Sequence, residues 1–83
     1  MPLFMDVHNK IEGLTTDAVA GAHKRDLEVG GQRGVSYLKY WFNEKEGTVY
    51  CLVEAPNAEA ASSVHKDAHG LVADSIIEVQ EGS

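Results

Sequence analysis

A single cysteine, Cys51, stands among the 83 residues. An internal disulfide is therefore excluded, and the cysteine usage is that of a reducing compartment, so a cytoplasmic location is expected. No apolar run approaches the ~18 residues that cross a bilayer. The opening segment places one apolar pair, Leu3-Phe4, shortly before Asp6. A secretory leader would begin with basic residues and a longer apolar stretch. Basic side chains are scarce: 7 Lys and Arg stand against 13 Asp and Glu, for a net charge of −6. Nucleic acid is thereby disfavoured as a partner, because phosphates demand clustered cations. The same acidity suits a cationic ligand, or serves only to keep the protein soluble. The chain also has no phosphate loop, no Cys-x-x-Cys pair and no serine-centred elbow.

What is present reads as one short domain over residues 1–83. A chain of this length buries only about 60% of its unfolded surface, and dimerisation is a common remedy for so thin a core. Leu3 to His8 alternates, with Leu3, Met5 and Val7 on one face and Phe4, Asp6 and His8 on the other, which is a strand period. "LTTDAVAGAHKRDLEVGG" is predicted as a helix, capped by Thr15 or Thr16 and ended by Gly30-Gly31. The aromatic and β-branched run "GVSYLKYWFNE", the turn "EKEGT" and "TVYCLVEA" predict a hairpin. Asn57 caps a second helix that Gly70 ends, "ADSIIEVQ" is the last strand, and "EGS" frays. The order β-α-β-β-α-β with right-handed crossovers predicts a ferredoxin-like α+β sandwich. Its four-stranded antiparallel sheet has strand order 4-1-3-2 and carries both helices on one face. The other face is left bare, to be wet, to bind something or to pair with a second copy.

Four histidines, His8, His23, His65 and His69, carry most of the chemical signal. In "VHKDAHG", His65 and His69 lie one helical turn apart, on the flank of an apolar stripe formed by Ala58, Ala61, Val64 and Ala68. Two imidazoles so spaced can reach one ion, but chance pairs are common and the segment supplies no third ligand. In the first helix, His23 and Asp26 fall within the inner arc marked by Val19, Ala22, Leu27 and Val29. Polar groups facing a small core must be paired. They form either a packing pair or a carboxylate that orients a working histidine. Asp6, His8 and Glu54 are further candidates on the strands, with Glu78 placed near Asp6 if the outer strand is in register. Their alternative is a solvated sheet face or a dimer rim. Imidazole with oxygen donors suits nickel, cobalt or zinc. Cys51 is expected to be a small buried hydrophobe, and Tyr37, Tyr40, Trp41 and Phe42 a packing and dimer-contact strand.

"FMDVH", "AHKRDL", "YWFNEKEGTVYCLVEAP" and "VHKDAHGLVADSIIEV" together resemble a family of small bacterial proteins. That family was long described as a domain of unknown function and includes an actinobacterial nickel-binding protein. The resemblance spans nearly the whole chain. It implies a ferredoxin-like homodimer that binds nickel for sequestration, detoxification or sensing. The family's recurrent polar positions fall on Asp6, His8, His23, Asp26, Glu54, His65 and His69. Of these, Asp6, His8, His23, Glu54, His65 and His69 are expected as metal ligands. Asn9 and Lys10 depart from the pattern, since some members carry another histidine or a neutral residue there, and a lysine repels a cation. Two other functions compete with metal binding. One is a small dimeric enzyme, monooxygenase- or isomerase-like, with His23 and Asp26 as a base in a cavity between sheet and helices. The other is a regulatory dimerisation module that uses the bare sheet face.

Overall fold

In a computed structural model that describes residues 1–82, six elements follow the predicted order. They are β1 (Leu3–His8), α1 (Thr16–Gly31), β2 (Ser36–Asn43), β3 (Thr48–Glu54), α2 (Ala58–Ala68) and β4 (Ser75–Val79). Ser83, the last residue of the segment predicted to fray, lies outside the described residues. The strands form one antiparallel sheet in the order β2-β3-β1-β4, which is the predicted 4-1-3-2 read from the opposite edge. No helix among the described residues is long and apolar enough to cross a membrane.

Local chemistry sets the helix ends. The Thr15 hydroxyl accepts from the Ala18 amide at 3.1 Å and starts α1. The Asn57 side chain accepts from the Ala60 amide at 2.8 Å and starts α2. Gly70, at φ +80°, stops α2 in a left-handed turn, and its amide donates back to the His65 carbonyl at 2.9 Å. This stop holds His69 at the helix C-terminus, one turn above His65.

Strand register decides which side chains face the helices. β1 pairs with β3 so that Phe4 faces Val53, Asp6 faces Cys51 and His8 faces Val49. All six of these residues are buried. Phe4, Val19, Val35, Tyr37, Val49, Val53, Ala61 and Val64 belong to the core that the helices close over this face. β2 contains a register shift between Tyr37 and Lys39. The extra residue re-phases the strand, so Tyr37, Tyr40 and Phe42 all pair with helix-side residues of β3 although they break strict alternation. Ile76, not Glu78, is paired with Asp6, while Glu78 is paired with Phe4 and is exposed. Leu27, expected on the inner face of α1, is 48% exposed. The buried positions of that helix are Val19, Asp26 and Gly30, and Leu27 sits about 100° around the helix from Asp26.

The far side of the sheet is uncovered. Trp41 is 49%, Tyr50 42% and Ile77 60% exposed there, beside half-buried Met5, Val7 and Leu52.

The loop after β1 is anchored to the β2–β3 hairpin by the Ile11 amide, which donates to the Gly47 carbonyl at 2.9 Å. Gly47 has φ +69°, and a Cβ there would lie 2.7 Å from the Ile11 carbonyl oxygen. Gly13 has the same φ of +69° but open space around it. A left-handed conformation alone costs an L-residue about 1–2 kcal/mol. Gly13→Ala is therefore expected to lower stability by about 1 kcal/mol. Gly47→Ala is expected to cost clearly more, on the order of 3 kcal/mol, because the steric clash adds to the backbone strain. Denaturant unfolding of both variants checks this, and equal losses would show that the Gly47–Ile11 contact relaxes freely.

Candidate metal centre

His65 occupies the centre of the core at 1% exposure, not the flank predicted for it. The difference comes from the shape of α2. Its neighbours Ala61 and Ala68 are small, so the larger imidazole fills the space between helix and sheet. Each ring nitrogen meets a carboxylate. Nε2 lies 2.8 Å from Asp6 Oδ2, and Nδ1 lies 2.9 Å from Asp26 Oδ1. Asp6 comes from β1 and is fully buried, and Asp26 comes from α1 at 2% exposure. The Tyr37 ring packs against His65 at 4.7 Å and donates its hydroxyl to the Ala61 carbonyl at 2.9 Å.

Two donor groups share this histidine. Asp6, His8, Cys51 and His65 form a wholly buried set, and Asp26, His65 and His69 form a second set nearer the surface. In the second set the donor atoms form a triangle. His65 Nδ1 is 2.9 Å from Asp26 Oδ1 and 3.1 Å from His69 Nε2, and His69 Nε2 is 3.1 Å from the same Asp26 Oδ1. In the first set, His8 stacks edge-on to His65 at 4.9 Å. Its Nε2 is 3.2 Å from Asp6 Oδ1. That contact lacks hydrogen-bond alignment, so Asp6 Oδ1 is a buried oxygen with no partner.

The cluster is strongly polarised. Burial opposes a charge on His65, but the bonds to Asp26 and Asp6 more than offset it and raise its pKa to about 11. Burial would raise both carboxylates, yet His65 with His8 holds Asp6 below its ordinary value, and His65 with His69 does the same for Asp26. Burial pushes the Cys51 thiol up to about 11, so it stands as a neutral thiol. Two carboxylates against one imidazolium leave these three side chains with one excess negative charge.

The other expected residues fall elsewhere. His23 is half-buried and packs on Tyr40 at 4.7 Å. Desolvation lowers its pKa, partly countered by Asp26. The proposed His23–Asp26 pair is not formed, because both Asp26 oxygens are engaged by His65 and His69. Glu54 is paired with Leu3 on the open face of the sheet, opposite the cluster, so within one chain it does not join the histidines. Strand alternation dictates this, since helix-side positions of β3 are Val49, Cys51 and Val53. Cys51, taken as a simple hydrophobe, joins the donor cluster. The alternation in β3 had already placed it on that face, and only the β1 register was needed to bring Asp6 beside it.

A cavity of about 220 Å³ opens beside the triangle, walled by α1, the loop after β1 and the sheet. His65, His69, Asp26 and His23 line its polar side, and Leu14, Val19 and Val49 its apolar side.

A four-stranded antiparallel sheet under two helices, with a buried imidazole–carboxylate cluster between them, defines a ferredoxin-like sandwich. The chain belongs to the family described as nickel responsive protein SCO4226-like, which it matches over residues 4–79. It is similar to SCO4226 from Streptomyces coelicolor A3(2), known from a crystal structure, at 42% identity and a TM-score of 0.90, over 98% of this chain and 99% of that one. No curated protein matches the chain.

The pH dependence of the metal-free protein follows from His65. Its folded-state pKa of about 11 lies above the ordinary 6.5, so its stabilising contribution is full below about pH 6.5 and declines as pH rises toward 11. Asp6 and Asp26 are depressed, so their contribution is present above the ordinary 3.8 and is lost as pH falls through their lowered values. His65→Gln is expected to cost about 3–5 kcal/mol by leaving buried carboxylates unpaired. Melting temperature measured from pH 7 to pH 10 is expected to fall in the native protein and to stay flatter in the variant. Parallel slopes would contradict the pairing.

Proposed function

We propose that this protein binds a divalent transition-metal ion, nickel in the first place, through Asp26, His65 and His69, and that it acts without catalysis in sequestering or sensing that ion. The mutual approach of three donor atoms, Asp26 Oδ1, His65 Nδ1 and His69 Nε2, within 2.9–3.1 Å carries the proposal. An ion with bonds of about 2.1 Å sets neighbouring donors roughly 3.0 Å apart when they meet at right angles. Two nitrogens and an oxygen are a donor set suited to nickel, cobalt or zinc. Two proton-bearing nitrogens, by contrast, make a poor contact at 3.1 Å.

His65 would then present Nδ1 to the ion and keep its Nε2 proton on Asp6. This is the carboxylate–histidine arrangement that fixes the tautomer of a ligating imidazole. Charge supports the same assignment. Replacing the His65 proton by a divalent ion cancels the excess negative charge of the cluster. On this assignment Asp6 and His8 support the site, and His23 and Glu54 take no part in ligation. The Leu71 amide donates to His69 Nδ1 at 3.1 Å. Ligation through His69 Nε2 puts a proton on Nδ1, so that hydrogen bond is lost when the ion is bound.

The family name supports nickel responsiveness. Homodimerisation belongs to the proposal as well, supported by the exposed Trp41, Tyr50 and Ile77 on the open sheet face. A cytoplasmic location stays part of it, supported by the lone, unpaired Cys51. The enzymatic alternative gains a cavity but loses its base, because His23 has no orienting carboxylate.

Calorimetric titration of the untagged protein with nickel tests the proposal. Asp26→Ala and His69→Ala are expected to weaken affinity by about 100-fold or more, and Asp6→Asn by about 10–100-fold as an orienting partner. Glu54→Gln is expected to leave affinity unchanged. Because nickel must displace the His65 proton, affinity is expected to fall by about tenfold per unit between pH 7.5 and pH 5.5. Amide hydrogen exchange at Leu71 is expected to accelerate on loading. Equal affinity at both pH values, or an unaffected His69→Ala variant, would refute the assignment.

A further inference from the structure

The cavity beside the donor triangle is larger than an ion requires. Its volume of about 220 Å³ exceeds the roughly 150 Å³ of an apolar cavity that takes up benzene. Ile11, Leu14, Val19 and Val49 give it apolar walls. Two polar side chains, His23 and Tyr40, also line it, with their rings 4.7 Å apart and tilted by 43°. Neither forms a side-chain hydrogen bond to another described residue, so both offer a donor and an acceptor to whatever enters. Neither belongs to the proposed ligand set. A cavity with apolar walls and a few convergent polar groups is the ordinary form of a small-molecule site.

We infer that this cavity binds a small neutral organic molecule, one ring in size, whose hydroxyl or carbonyl oxygen sits between His23 and Tyr40. The charge of the floor selects for neutrality. Asp26, a buried carboxylate in the cavity lining, repels an anionic head. A cationic head gains little there, because both Asp26 oxygens already accept from His65 and His69. The other acid at the cavity, Glu12, is exposed and screened by water. Binding of this molecule does not depend on nickel, so the metal-free protein is the material to test.

Phenol, benzoate and benzylammonium are the probes, each titrated into chelator-treated protein and followed by methyl NMR. Phenol is expected to give saturable shifts at the Val19 and Val49 methyls and none at Ile77 on the open face. Its affinity is expected to exceed that of benzoate and of benzylammonium by at least tenfold. Ala22→Phe, which fills the cavity from α1, is expected to weaken phenol binding by at least tenfold. Tyr40→Phe, a milder change that keeps the ring, is expected to weaken it severalfold and to leave nickel affinity unchanged. The inference is overturned if no probe gives saturable shifts, if a charged probe equals phenol, or if both variants bind phenol as the native protein does.

Discussion

The arrangement on which this molecule depends is an imidazole clamped between two carboxylates inside a thin core. His65 lies 2.8 Å from Asp6 and 2.9 Å from Asp26, with almost no solvent access. Buried charges are expensive unless paired, and the loss of one partner strands the others. β1, α1 and α2 each contribute one member, so the clamp ties the sheet to both helices. In a chain of 83 residues, such a cross-link specifies how the layers seat on one another as well as how strongly they adhere. These three side chains carry one more negative than positive charge, and the proposed binding of a metal ion draws on that imbalance.

The topology explains why these groups meet. The antiparallel pairing of β1 with β3 places Asp6 beside Cys51 and His8 beside Val49 on the helix side. The Gly70 turn holds His69 one turn above His65. The Gly47 contact holds the loop after β1 against the hairpin and so shapes the cavity wall at Ile11. Fold and site are therefore not separable here. The glycines that stop α2 and anchor the loop are part of what positions the donors.

The fold was legible in the sequence because each element carries a local signal: alternation in Leu3–His8, the Thr15 and Asn57 caps, and Gly70 at the helix end. Strand order followed from connection rules acting on six short elements. The site was legible only in part. His65, His69, Asp6 and His8 were all named as candidate donors, and they fall into two sets that share His65. His65 as the centre of the core was not legible, because a helical wheel gives direction but not depth, and the depth depends on small Ala61 and Ala68. Asp26 shared the inner arc of α1 with His23, yet periodicity could not say that it would reach across to α2 instead of to its own neighbour. Glu54 was misplaced for want of weight on alternation: Val49, Cys51 and Val53 face the helices, so Glu54 cannot. The re-phasing of β2 at Leu38 was invisible, since a bulge leaves no residue signature in that run.

The most direct test of the account is the protonation state of His65, read from its two ring nitrogens by nitrogen-15 NMR. The metal-free protein is predicted to show both nitrogens protonated through pH 9, and one equivalent of diamagnetic zinc is predicted to convert Nδ1 to a metal-bound nitrogen while Nε2 keeps its proton. A His65 ring that titrates near the ordinary histidine value, or that is untouched by zinc, would contradict it.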